Sequence, residues 1–424
     1  MAALREPGVT PLGADMTTAR MSRLRAAFTM LTVAALLSAC TPTEIRRAGD
    51  DITEEVRSAK FYLQPQLLPE GSPGDLIRSE RILGTPDGAE AWRIMFHSTD
   101  VFGKPVVNTG LVVAPTSSTP EGGRTVVSWG HPTTGSAIKC SPSSGLDPFD
   151  LVEGLNDFLD RGYAVTYTDY TGMGTAGPNS YLVGETAGRN MLDAARAARS
   201  LLKEEASSRV VLWGHSQGGQ GALFAGQIAT SYAPDLDVRA VAVAAPATNL
   251  AKLLDADIGD VSGVSIGAYA FNAYAEVYGD SVSGAELDTI LTPAAIAALP
   301  SMVKLCLLGQ NDELHAIGKP LVGGFLTADP ATTEPWATLL ADNTAGAVPL
   351  NVPLFVAQGE TDTLVDPQAT TSFVAHERSQ GVDVTYEEIT NTGHGLVALR
   401  ALKPLMKWLE ALGADEVAGP GSLQ

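Results

Sequence analysis

VVLWGHSQGGQGALFAG, residues 210–226, sets an aliphatic run directly against a serine flanked by glycines. Val210 to Trp213 has the continuous apolar character of a strand buried on both faces, and Gln217 to Tyr232 has the spacing of a helix. Between them, Gly214-His-Ser-Gln-Gly218 fits G-x-S-x-G, the pattern of a strained turn that presents a serine hydroxyl. Glycines suit both flanks because the helix must approach the strand closely there, where side chains would collide. The pentapeptide also occurs by chance, and a plain strand-to-helix turn is the bland alternative. Its surroundings decide between the two.

Upstream, Ala91 to His97 and Val106 to Val113 read as strands with turn residues Phe102 to Pro105 between them. Thr125 to Trp129 is a third apolar strand and runs into Gly130-His-Pro-Thr-Thr-Gly135. Helical spacing over Leu151–Arg161, a strand at Tyr163–Thr168 and a helix at Thr186–Lys203 lead up to the serine turn. A strand at Val238–Ala244 follows the helix behind it. Apolar strands separated by helices predict a mostly parallel sheet covered on both faces, an α/β fold. From Leu250 to Pro349 the alternation stops and helical stretches take over. In one of them Phe271, Tyr274 and Tyr278 share a face, either for packing or as a wall of an apolar pocket. The sheet resumes at Val352–Ala357 and Val382–Glu387, with a predicted helix at Gln368–Arg378 between them, and the chain closes on a helix over Leu396–Leu412. A helical cap therefore divides the core, giving core segments 61–249 and 350–413 around an insertion at 250–349.

A serine hydroxyl is a weak nucleophile without an adjacent base, so the turn demands an acid and then a histidine further along the chain. Three histidines follow Ser216. His315 precedes any suitable acid, and His376 lies in the predicted helix. His394, in Asn391-Thr-Gly-His-Gly395 after the last strand, is the candidate base. Of the acids after the Val352–Ala357 strand, Glu360 follows it too closely and Asp366, ahead of Pro367, suits a helix N-cap. Asp362 in mid-loop is the candidate to orient the imidazole, with Asp366 second. The backbone N–H of Gln217 is one candidate oxyanion donor, and the Gly130–Gly135 loop should supply the other. His131 reads as shaping that loop, and Asp169 in Asp169-Tyr-Thr-Gly172 reads as structural. No cluster resembles a metal site, a phosphate loop or a dinucleotide fingerprint, so no cofactor is expected.

The chain carries a formal charge of −20 and no basic cluster beyond residue 50, which argues against nucleic acid and anionic membrane surfaces as partners. Met21-Ser-Arg-Leu-Arg25 and the apolar run Ala26–Leu37 form a signal-peptide pattern ending in Leu37-Ser-Ala-Cys40. That ending resembles a bacterial lipobox, in which Cys40 would be lipidated; an ordinary secretory signal is the alternative. Residues 1–39 are then a leader, 40–60 a flexible tether and 414–424 a flexible tail. The expected location is exported, either surface-anchored through lipid or released. If Cys40 carries lipid, Cys140 and Cys306 remain, either as a disulfide or as two buried thiols. The residues do not speak to oligomeric state.

Several motifs together resemble the secretory lipases of the lipase A type, within the α/β-hydrolases, over roughly residues 55–412. They are Phe61-Tyr-Leu-Gln-Pro65 with Pro73-Gly-Asp-Leu-Ile-Arg78, Trp129–Gly135 with Cys140-Ser-Pro-Ser143, and Thr168–Gly172. The serine turn, Gly359-Glu-Thr-Asp362 and Gly393-His394 complete the set. The resemblance implies an α/β-hydrolase fold with a large helical lid, a Ser216–Asp362–His394 triad and ester or lipid substrates. It further implies that Thr134, or its neighbour Thr133, serves the oxyanion hole, and that Cys140 bonds to a cysteine of the lid. A second disulfide found in many relatives has no cysteines in this chain. The expected function is a serine carboxylesterase or lipase. An amidase or peptidase with the same triad and a non-catalytic surface lipoprotein are the rival readings.

Overall fold

The computed structural model describes residues 60–65 and 69–414. The leader, Cys40, all but the last residue of the tether and all but the first of the tail lie outside the described residues. Among the described residues nine strands form one sheet: β1 (Leu76–Arg81), β2 (Ala89–Thr99), β3 (Pro105–Pro115), β4 (Arg124–Gly130), β5 (Ala164–Thr168), β6 (Ala206–His215), β7 (Asp237–Ala244), β8 (Leu354–Gly359) and β9 (Val384–Ile389). Their spatial order is β1-β2-β3-β5-β4-β6-β7-β8-β9. The first three strands and the β3–β5 pair are antiparallel, and every later pairing is parallel. β1 has no counterpart in the sequence reading. Its residues, LIRSER, are half charged and it pairs through backbone at the sheet's edge.

The alternation of side chains along a strand divides the core in two. Val210 and Leu212 of β6 pack on one face with Val126, Val241 and Val356, while Val211 and Trp213 pack on the other with Val127, Trp129 and Phe355. The first face is covered by α2 (Gly184–Leu202), α3 (Gln217–Tyr232) and α9 (Pro367–Ser379); the second by α1 (Leu155–Asp160) and α10 (Val397–Leu412). Between β7 and β8 lie α4 (Leu250–Asp257), α5 (Val261–Tyr278), α6 (Pro293–Met302), α7 (Leu307–Gly318) and α8 (Trp336–Asp342). These surround a hydrophobic cluster of their own, built on Tyr269, Phe271, Leu299, Leu314 and Trp336, joined by Tyr181–Val183 from the loop before α2. No strand of the sheet comes from the insertion, and Leu291 and Leu326 form an isolated bridge within it.

One consequence of the parallel strands positions the site. β4, β6, β8 and β9 all run the same way, so the loops that follow them leave from one edge of the sheet. In open α/β sheets that carboxyl edge is where ligands bind. β7 ends at the same edge and hands the chain to the helical insertion, which is thereby placed over it.

Candidate active site

Ser216 sits between β6 and α3 with φ 57° and ψ −117°. Three backbone bonds hold this left-handed turn: Ser216 N–H donates to Ala244 O at 3.0 Å, and its carbonyl accepts from Gln220 N at 3.1 Å and Ala247 N at 3.1 Å. The flanking glycines are required by close approach. A Cβ on Gly214 would come within 2.1 Å of Gly218 O, and one on Gly218 within 1.9 Å of Gly130 O. The start of α3 thus lies directly on the last residue of β4, as the motif predicts.

The loops after β8 and β9 bring two distant residues to the serine. His394 Nε2 lies 2.9 Å from Ser216 Oγ, and His394 Nδ1 lies 2.8 Å from Asp362 Oδ2. A carboxylate only accepts, so Nδ1 carries the proton and Nε2 offers its lone pair to the serine O–H. The Asp362 side chain is fully buried, whereas that of His394 is 18% exposed. Oδ1 of Asp362 accepts from the N–H groups of Leu364 and Val365, both at 2.9 Å, and Oδ2 accepts from Gln358 Nε2 at 3.2 Å. Burial works to raise the Asp362 carboxyl, but the hydrogen bond and charge of His394 and the two N–H groups outweigh it and hold it below the ordinary range. It stays ionised beside the imidazole.

The other two acids of this loop have different partners. Asp366 caps α9, accepting from Gln368 N at 2.9 Å. Glu360 Oε2 accepts from Asn391 N at 3.0 Å, fastening the loop that carries Asp362 to the one that carries His394. His376 is on α9, bonded to Gly346 O, and His315 is on α7.

Around Ser216 a cavity of about 150 Å³ opens between core and insertion. The core contributes Ser216, Gln217, Thr133, Val365 and His394; the insertion contributes Leu253, Leu254, Ile266, Phe271 and Tyr274. Of the aromatic face on α5, Phe271 and Tyr274 line this cavity, while Tyr278 is packed away and its hydroxyl bonds Asn343. Gln217 is the first residue of α3, so its N–H is among those a helix start leaves without an intrahelical acceptor. In the loop after β4, Thr133 lines the cavity and its hydroxyl meets Tyr181 OH at 2.8 Å. Thr134 is buried behind it, and its hydroxyl donates to Cys140 O at 2.8 Å. His131 is fully buried, with Nδ1 2.7 Å from Pro132 O; burial drives it down to about 4, so it is a neutral strut of the loop. Asp169 is also fully buried, and burial raises its carboxyl. It accepts from Ser143 N at 2.9 Å and Thr109 Oγ1 at 2.6 Å, anchoring the segment just beyond Cys140.

Cys140 and Cys306 form a disulfide with 5.4 Å between Cα atoms. Beside it, Gly135 and Cys306 form an antiparallel bridge and Leu308 N donates to Thr134 O at 3.3 Å. The loop after β4 and the start of α7 are joined both covalently and through backbone. Sequence reasoning missed Gln358, Asp257 and the contact of His215 Nδ1 with Glu153 Oε2 at 2.9 Å beside the His394 ring. Gln358 left a signal, a polar residue closing the otherwise apolar stretch Leu354–Ala357. Asp257 lines the cavity from the end of α4 and left none. Among the described residues no cluster of three or more metal-ligating side chains occurs, and no helix is long and apolar enough to cross a membrane.

Residues 151–419 match the model of the secretory lipase family. Lipase 6 of Candida albicans is 24% identical over 396 residues, covering 85% of this chain and 82% of its own. A protein of Mycobacterium tuberculosis named a probable inactive lipase is 22% identical over 397 residues, covering 85% of this chain and 82% of its own. Among solved structures, Candida antarctica lipase A in its closed state superposes with a TM-score of 0.70 at 18% identity, covering 84% of this chain and 86% of that one. A ligand-bound rice cell wall degrading esterase from Xanthomonas oryzae gives 0.65 at 21% identity, covering 80% and 98%. These likenesses share the α/β-hydrolase fold.

Proposed function

The chain belongs to the secretory lipase family and is a carboxylic ester hydrolase, and from that premise we propose that it works through a serine acyl-enzyme. The observation that carries this reading is the hydrogen-bonded chain from Asp362 through His394 to Ser216. In the proposed cycle Ser216 Oγ attacks the ester carbonyl carbon while His394 Nε2 takes its proton. The N–H of Gln217 and a donor from the loop after β4 meet the developing oxyanion. That donor is Thr133, which reaches the cavity, with Thr134 holding the loop through Cys140. Collapse expels the alcohol, which receives the proton from His394 and leaves Ser216 acylated. Water, deprotonated by His394, attacks the acyl carbon and releases the acid, restoring the serine. Asp362 keeps the imidazole in the required tautomer throughout and supports its transient charge.

The cavity supports a narrower substrate class. Its walls from the insertion are apolar apart from Asp257, and among the described residues no lysine or arginine lines it. That favours an uncharged ester with an apolar acyl chain, such as an acylglycerol. In this reading residues 250–349 act as a lid over core segments 61–249 and 350–413, and residues 1–39 direct export, with Cys40 as the point of lipid attachment. Parallel assays of aryl and glyceride esters of rising acyl length, each beside its matching amide, test the proposal. Ester turnover that is lost in Ser216→Ala is the expected result. Preferential amide cleavage, or ester turnover that survives Ser216→Ala, would overturn it.

A further inference from the structure

A second histidine that the proposed cycle does not use lies against His394. His215 ends β6, and its ring centroid is 4.9 Å from that of His394, tilted by 42°. Its side chain is 3% exposed and its Nδ1 lies 2.9 Å from Oε2 of Glu153, itself only 13% exposed. The segment that brings Glu153 is pinned to the sheet by two indoles. Trp213 Nε1 donates to Glu153 O at 2.9 Å, and Trp129 Nε1 donates to Leu151 O at 2.9 Å. Nδ1 of His215 must carry the proton toward the carboxylate, and its Nε2 is buried without a hydrogen-bond partner among the described residues.

Packing does not require this arrangement. Replacing a buried polar pair by apolar side chains of similar volume is often neutral or stabilising, so stability is a weak reason for burying a carboxylate and an unmatched nitrogen. The location supplies a better one. His394 acquires positive charge when it takes the serine proton, and the face of its ring toward His215 is closed to water. A negative charge held behind the His215 ring stabilises that cation where solvent cannot.

We propose that Glu153 and His215 are positioning residues, a second carboxylate–imidazole pair that orients the His394 ring and stabilises its protonated form. The proposal rests on the reading of His394 as the base. The titratable and charged groups facing His394 are Asp362 and Ser216 at its two nitrogens, His215 against its ring and Asp257 across the cavity. Arg400 of α10 is committed to Asn391 O and Thr392 Oγ1.

The test is the pH dependence of ester hydrolysis by the mature enzyme carrying Glu153→Gln, whose amide oxygen still accepts from Nδ1 while the charge is lost. Expected are a several-fold lower kcat, an unchanged KM, and an acidic limb of the kcat/KM profile moved to lower pH. That shift should be roughly half to one pH unit, the scale of one unit charge across a ring's width in protein. Glu153→Asp should restore part of both. The double variant His215→Phe/Glu153→Leu removes both partners at once, so neither is left unpaired, and should keep the wild-type melting temperature while showing the same displaced limb. A lowered melting temperature with kcat and the limb unmoved would overturn the proposal and make the pair purely structural. His394→Ala separates the two claims. If it is inactive while Glu153→Gln keeps the wild-type profile, only the positioning role fails; if it is active, the reading of the base fails.

Discussion

At Ser216 the backbone holds a left-handed conformation that costs a non-glycine residue ~1–3 kcal/mol. The three backbone bonds around it and the glycines on either side over-determine the turn, so the hydroxyl stays aimed at His394. Asp362 is distinguished from Asp366 by its partners in the same way. Asp362→Asn should keep the fold but offer His394 the wrong hydrogen-bonding group, lowering kcat on the order of 10⁴-fold by analogy with serine proteases. Asp366→Ala should lose only the cap of α9, about 1 kcal/mol of stability, and leave turnover intact. Steady-state kinetics of the two variants check the assignment, and a reversed pair of effects would move the orienting role to Asp366. Asp257 gives a separate prediction. Burial, then the charges of Asp260, Asp362 and Asp366, push its carboxyl up to about 7. The folded chain therefore holds that proton more tightly than the unfolded chain, whose carboxyl titrates near the ordinary ~3.9. The stability this contributes is complete below that value and is lost as pH rises to about 7. Asp257→Asn should match the wild type in melting temperature at about pH 4, exceed it increasingly up to neutrality, and keep a constant margin above. A margin independent of pH would rule out a buried, charge-crowded carboxyl as the cause. The convergence of Ser216, His394 and Asp362 was legible because the motif dictates their order and few histidines compete. Asp257 and Glu153 were not, because only tertiary contacts set their partners.

Most elements with continuous apolar character were readable nearly to their ends, but β6 extends from Ala206 to His215, beyond the apolar run Val210–Trp213 on both sides. The helix read over Gln217–Tyr232 is α3, and the strand read at Val238–Ala244 is β7 with one residue added. Errors fall where side chains compete for the backbone. The helix expected from Leu151 begins at Leu155: Gly154 breaks it with a left-handed φ of 94°, and the carbonyls of Leu151 and Glu153 accept from the indoles of Trp129 and Trp213. β1 was invisible because an edge strand with charged residues has no buried face to pattern it. The aromatic face of α5 was ambiguous for a physical reason. A ring can pack with one side and line a cavity with the other, and Phe271 is nearly fully buried by residue while still bordering the cavity.

Across the whole molecule, the disulfide and the backbone bridge beside it tie the insertion to the loop after β4. The two cysteines are 166 residues apart, and closing a loop of that length removes about 5 kcal/mol of chain entropy from the unfolded state. Cys306→Ser should therefore lower the melting temperature. It should also reduce turnover, because Cys140 holds Thr134 and, through it, the loop presenting Thr133. Melting and kcat measured on the same sample check both effects, and a fall in melting temperature with kcat unchanged would uncouple the insertion from the chemistry. The sharpest test of Ser216 as the nucleophile is the mass of the enzyme trapped with an ester-like phosphonate, followed by peptide mapping. One adduct per chain on Ser216, matched by loss of ester hydrolysis and absent in Ser216→Ala, is the predicted result. Inactivation with the adduct on another residue, or undiminished ester hydrolysis by Ser216→Ala, would contradict the account.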